Sequence, residues 1–136
     1  MQPSSLSPIG LEQLEERLRT ELSYLNLPAN VWVVPRTVGE RALLPVAVIG
    51  GGMAGVCVAT ALRYSGVPVE VYDQSADQLE GPWLTSARME TLRSPKELTG
   101  PALGIPSLTF RAWFTAQFGE QAWQALDKIP RPQWAE

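Results

Sequence analysis

A chain of 136 residues fits one small domain, which at this size buries roughly two-thirds of its extended-chain surface in a single core. With 45% hydrophobic residues, 18% charged residues and a formal net charge of −3, the composition is that of a soluble globular protein without a basic footprint for DNA or RNA. One cysteine, Cys57, and no histidine exclude an internal disulfide, the usual zinc ligand sets and Ser-His-Asp catalysis. The longest apolar stretch, Val46 to Leu62, is interrupted by Gly50, Gly51, Gly52 and Gly55 and lacks the about 20 unbroken apolar residues that span a bilayer. Met1 to Gly10 has neither the basic start nor the hydrophobic centre of an export signal, so a cytoplasmic location is expected, with no membrane partner.

In chain order, Leu11, Leu14, Leu18, Leu22 and Leu25 recur at three- and four-residue steps among charged residues, which predicts an amphipathic helix ending near Asn26 to Pro28. Val31 to Val34 reads as a short β-like run, followed by a loop with Pro35, Gly39 and Pro45. Val46-Ala47-Val48-Ile49 is a continuous apolar run, as expected of a parallel-sheet strand buried on both faces. Met53 to Ser65 predicts a helix on that sheet, capped by Gly66, and Val69 to Tyr72 a second strand. The order is a βαβ unit.

Gln74 to Pro106 is dense in glycine and proline and predicts loop, while its Trp83, Leu84, Met89, Leu92 and Leu98 argue that the loop is ordered. Ser107 or Thr109 can cap a helix running to Phe118 with Gly119 as its stop. A further helix holds Ala122, Trp123 and Leu126, and Pro130 and Pro132 are expected to end regular structure. Trp113, Phe114, Phe118 and Trp123 at helical spacing are expected in the core, and Cys57 as a small buried hydrophobe.

Gly50-Gly51-Gly52-Met53-Ala54-Gly55 has the GxGxxG pattern at the point where a strand turns into a helix. Gly50 permits the tight turn, Gly52 removes a side chain that would keep the backbone from a pyrophosphate, and Gly55 lets the helix approach the strand. The unpaired N–H groups of the first helical turn and the helix dipole, about 0.3–1 kcal/mol at an exposed site, attract the anion. Asp73 closes the second strand 23 positions after Gly50, where a carboxylate accepts hydrogen bonds from adenosine ribose hydroxyls and repels an NADP phosphate. These residues predict dinucleotide binding and leave NAD and FAD both open.

From about Val46 to Trp134 the chain resembles the flavin-dependent monooxygenases with two dinucleotide-binding domains, which include N-hydroxylating, Baeyer-Villiger and flavin-containing members. Glu80-Gly81-Pro82-Trp83 looks like that family's Gly-Gly-x-Trp turn along the flavin, with glutamate at the first glycine position. The stretch from Ala87 to Lys96 is similar to the segment where flavin-containing members place a Thr-Asn pair on the flavin, and Arg93 and Ser94 stand there instead. The resemblance implies FAD as the cofactor, NADPH as co-substrate of the complete enzyme, and oxygenation of a substrate by reduced flavin and oxygen. Arg88, Arg93 and Lys96 can meet phosphate or flavin oxygens, or simply lie in a solvated loop.

The expected fold class is α/β: a Rossmann-like βαβ FAD-binding unit with a partial parallel sheet, an N-terminal amphipathic helix and C-terminal helices. Residues 1–44 form a helical appendage and loop, and residues 45–136 the incomplete FAD-binding unit. The candidate cofactor contacts are Gly50, Gly52, Met53, Ala54, Gly55, Asp73 and Gln74, with Trp83, Arg88 and Ser94 on the flavin side. No catalytic residue and no metal ligand is named. No second GxGxxG follows Asp73, so the NADPH half is expected from a missing C-terminal part or a second polypeptide, with the chain inactive alone. The alternatives are an NAD-binding dehydrogenase fragment, which would be expected to reach a third parallel strand soon after residue 74, and a noncatalytic interaction subunit.

Overall fold

In the computed structural model, residues 8–98 and 100–135 are described, so the reading of Met1 to Gly10 falls mostly outside them. Contacts divide the chain into two compact units, one of residues 25–87 and one of the N-terminal helix with the chain from Arg88 onward.

In the unit of residues 25–87, two four-residue strands pair side by side. Strand β3 (Val46–Ile49) runs parallel to β4 (Val69–Tyr72), in register from Val46 opposite Val69 to Ile49 opposite Tyr72. Helix α2 (Met53–Tyr64) links them. It ends as expected at Gly66, whose φ is +77°, with Gly66 N–H donating to the Arg63 carbonyl and Val67 N–H to the Leu62 carbonyl, which satisfies two of the helix's last carbonyls. Val46, Val48 and Val69 are half-buried, and Val48 Cγ1 lies beneath Gly55 of α2. On the opposite face Ala47, Ile49, Glu70 and Tyr72 are exposed, Ile49 by 82%. The expectation of a strand buried on both faces is therefore corrected: a sheet of two strands with one crossover helix has one face covered. Cys57 is half-buried rather than enclosed.

Upstream of β3, the predicted β-like run Val31 to Val34 is not a strand. Its neighbourhood straps the end of α2, with Ala29 N–H on the Tyr64 carbonyl (2.8 Å) and the Trp32 indole N–H on the Ser65 carbonyl (2.8 Å). These bonds tie the segment to a helix terminus. The loop after it contains a small antiparallel hairpin of β1 (Thr37–Val38) and β2 (Arg41–Ala42) around Gly39.

The other unit is helical. Helix α1 (Leu11–Tyr24) buries Leu14 and half-buries Leu18 and Leu22, as its leucine spacing predicts. Gly10 N–H donates to the Ala116 carbonyl (2.8 Å), and the Glu21 carboxylate accepts from Ser107 N–H (3.0 Å), tying α1 to the segment around α3 (Phe110–Phe118). Thr109 caps α3 by accepting from Ala112 N–H, and Gly119, with φ +85°, separates it from α4 (Glu120–Ala125). The ring of Phe110 lies 5.2–6.4 Å from those of Trp113, Phe114, Trp123 and Trp134. Phe114 and Trp123 are buried and Trp113 half-buried, but Phe118 is exposed, which corrects its placement in the core. Pro130 and Pro132 do not end regular structure. Helix α5 (Arg131–Ala135) begins between them, Pro132 occupying its first turn, where no helical N–H is needed. The described residues between Gln74 and a short 3₁₀ helix at Pro106–Leu108 follow bends and turns, with an isolated bridge between Thr91 and Pro130. No helix among the described residues is long and apolar enough to cross a membrane.

Candidate dinucleotide site

Strand β3 delivers the chain to Gly50, whose N–H continues the ladder by donating to the Tyr72 carbonyl (2.8 Å). Its φ of +103° belongs to a region that side chains disfavour, so the tight turn needs glycine there. A Cβ at Gly55 would collide with the Gly50 carbonyl oxygen and stand 3.4 Å from Val48 Cγ1, so this glycine allows α2 to lie against the strand it follows. Gly52 occupies the N-cap of α2 in an extended conformation, with no side-chain cap. Val56 N–H reaches the Gly52 carbonyl (3.0 Å), while the N–H groups of Met53, Ala54 and Gly55 find no backbone acceptor among the described residues. Such a turn presents donors and the positive end of the helix dipole to an anion.

Asp73 follows β4 and braces this turn. Its Oδ2 accepts from Gly51 N–H at 2.5 Å and its Oδ1 from Ser75 N–H at 2.7 Å. Hydrogen bonds from these amides, Gly51 first, hold the exposed carboxyl below its ordinary pKa by favouring its charged form. Gln74, next in the chain, is exposed. On the neighbouring face of the sheet, the Tyr72 hydroxyl donates to the Glu70 carboxylate at 2.5 Å, and that bond raises the tyrosine pKa.

The turn Glu80–Trp83 lies against the glycine turn. A Cβ on Gly52 would stand 3.3 Å from Gly81 Cα, and one on Gly81 3.4 Å from Gly52 Cα, so the two backbones approach where neither residue has a side chain. Gly81 has φ +74°, and the turn is wound by Thr85 Oγ1 donating to the Gly81 carbonyl (2.9 Å) and Ala87 N–H to the Pro82 carbonyl (2.8 Å). Trp83 is half-buried. Gly50, Gly52, Met53, Ala54, Gly55, Asp73, Gln74 and Trp83 thus share one compact unit. Arg88 and Ser94 belong to the other and are exposed.

In that second unit Arg93, Ser94, Lys96, Asp127 and Lys128 border an open cavity of about 530 Å³. Lys96 is engaged with protein rather than offered to phosphate. Its Nζ donates to the carbonyls of Trp123 (2.8 Å) and Leu126, 5.4 Å from the centre of the Trp123 ring, and so caps the C-terminus of α4. Arg131 Nε holds the Met89 carbonyl at 2.9 Å. Among the described residues no group of three His, Cys, Asp or Glu side chains could hold a metal ion. The sequence pattern did not single out Gly51 and Ser75, whose amides grip Asp73. The signal was the run of three glycines and the Asp-x-Ser spacing, a common Asx-turn arrangement.

A strand, an uncapped glycine turn, a helix and a second parallel strand closed by aspartate define a Rossmann-like dinucleotide-binding unit. The chain belongs to the NAD(P)-binding Rossmann-like domain family, whose profile matches residues 48–129. It is 44% identical over 129 residues to a FAD-dependent urate hydroxylase of Xanthomonas campestris pv. campestris, an alignment that covers 94% of this chain and 27% of that protein. The chain therefore spans about a quarter of that relative's length. No solved structure matches significantly.

Proposed function

We propose that this chain is the FAD-binding portion of an NAD(P)H-dependent, monooxygenase-type flavoprotein. The observation that carries the reading is the uncapped turn Gly50–Gly55 with Asp73 at the end of the paired strand. The similarity to a FAD-dependent hydroxylase favours FAD over NAD as its occupant. The amides of Met53 and Ala54 bind the diphosphate, Asp73 accepts from the adenosine ribose, Gln74 flanks it, and Trp83 borders the ring system. When bound, the flavin supplies hydride acceptance and oxygen activation. The protein's own share is to hold the dinucleotide and keep water from the reacting face.

In this reading NADPH serves as co-substrate of the complete protein, whose remaining parts bind it. The relative's named substrate, urate, is the first compound to try with that protein. Adding FAD and then desalting tests the assignment. A flavin absorption band near one per chain is expected, and Gly52→Ala should weaken binding about tenfold, or 1.4 kcal/mol. Absence of the band together with tight NAD binding by calorimetry would sink the FAD assignment. The isolated chain should not oxidise NADPH, and turnover without any partner would contradict its role as a portion.

A further inference from the structure

The free face of the β3–β4 pair combines the chemistry of an interior with the exposure of a surface. Ala47, Ile49, Glu70 and Tyr72 lie on it and are exposed, Ile49 most of all. Parallel strands occur almost only in sheets with both faces covered, and here α2 covers one. The single charged side chain on the free face, Glu70, accepts from the Tyr72 hydroxyl at 2.5 Å, so its carboxylate keeps a partner when water leaves. Helix α2 points the same way. No charged residue stands between Met53 and Leu62, and Val56 and Val58 are exposed as well. A helix that is apolar all round belongs in the interior of a larger protein.

We propose that the free face seats a second layer of a longer flavoprotein, a segment of the same polypeptide that sets apolar side chains over Ala47 and Ile49. The inference rests on the reading of the chain as a portion of such a protein. Two strands of four residues make a face only roughly 13 Å by 10 Å. Stable association between separate proteins takes about 800 Å² from each partner, so a face this small suits a tethered segment, whose effective concentration reaches the millimolar range. The relative shows that such length exists: the alignment takes in 27% of that protein, and the remainder is long enough to supply the layer.

Replacing Ile49 by Ser in this chain, and the aligned residue by Ser in the full-length Xanthomonas hydroxylase, tests the idea. In this chain Ile49→Ser should leave the urea midpoint, a monomeric sedimentation and FAD retention unaltered. In the long protein the same replacement should lower Tm by about 5 °C, with Val as the milder substitute where Ser abolishes soluble protein. An unchanged Tm in the long protein would overturn the second layer. A dimer of this chain that Ile49→Ser dissociates would overturn it too, giving the face to a second copy. Marked destabilisation of this chain by itself would do the same, assigning the cover to its own helices. Failure of the unaltered chain to retain FAD is read separately: it would overturn the flavoprotein reading on which the inference stands.

Discussion

Two backbone amides converge on the Asp73 carboxylate, and the protonation of this group governs how the glycine turn is held. Its pKa in the folded chain is lower than in the unfolded chain, so its stabilising effect is present above the ordinary carboxylate range. That effect is lost as pH falls through the lowered folded value. In an NMR titration the Gly51 and Ser75 amides should therefore move together, with a midpoint below the ordinary aspartate pKa. A midpoint at the ordinary value would show that the carboxylate is not braced. Gly55 is the other residue on which the turn depends. Gly55→Ala drives a methyl group into the Gly50 carbonyl, and urea unfolding should show a loss of about 1–3 kcal/mol, the usual cost of overpacking. Little or no loss would mean that α2 can move off β3 freely.

At the scale of elements, caps do much of the positioning. Thr109→Ala removes the acceptor for Ala112 N–H at the start of α3 and should cost about 1 kcal/mol in denaturant unfolding, against a few tenths if the cap were idle. The βαβ unit, α1, and the helices before and after Gly119 were legible because each follows from local period and local breakers: leucines at helical steps, an apolar tetrad, a glycine at positive φ. What was not legible depends on distant partners. Val31 to Val34 has the composition of a strand, but its neighbouring donors are taken by the end of α2, which no local pattern announces. Pro132 reads as a terminator, yet in a first helical turn its missing N–H costs nothing. Lys96 reads as a cation for phosphate or flavin oxygens or as a solvated loop residue, and the carbonyls of Trp123, Gln124 and Leu126 at the C-terminal end of α4 claim it instead. The same distinction runs through the site: the glycines and Asp73 are fixed by local motif, whereas the seating of Gly81 on Gly52 is a contact across nearly thirty residues of chain.

For the whole molecule, the uncovered face of the β3–β4 pair carries a specific consequence. Ile49 is 82% exposed, so Ile49→Ser should change the stability of this chain by no more than about 0.5 kcal/mol, whereas loss of a true core side chain costs about 2 kcal/mol or more. A large loss would show that the face is packed in solution. The relative extends well beyond the aligned region, and its full activity is expected only of a protein of comparable extent. What the chain holds for itself is the cradle. The central claim is that FAD binds with its diphosphate at Gly50–Gly55, and amide chemical-shift mapping during a FAD titration tests it most directly. The largest shifts should fall on Gly51 through Val56 and on the amides beside Asp73, with Gly52→Ala weakening the response. FAD binding that leaves those amides unmoved would contradict it.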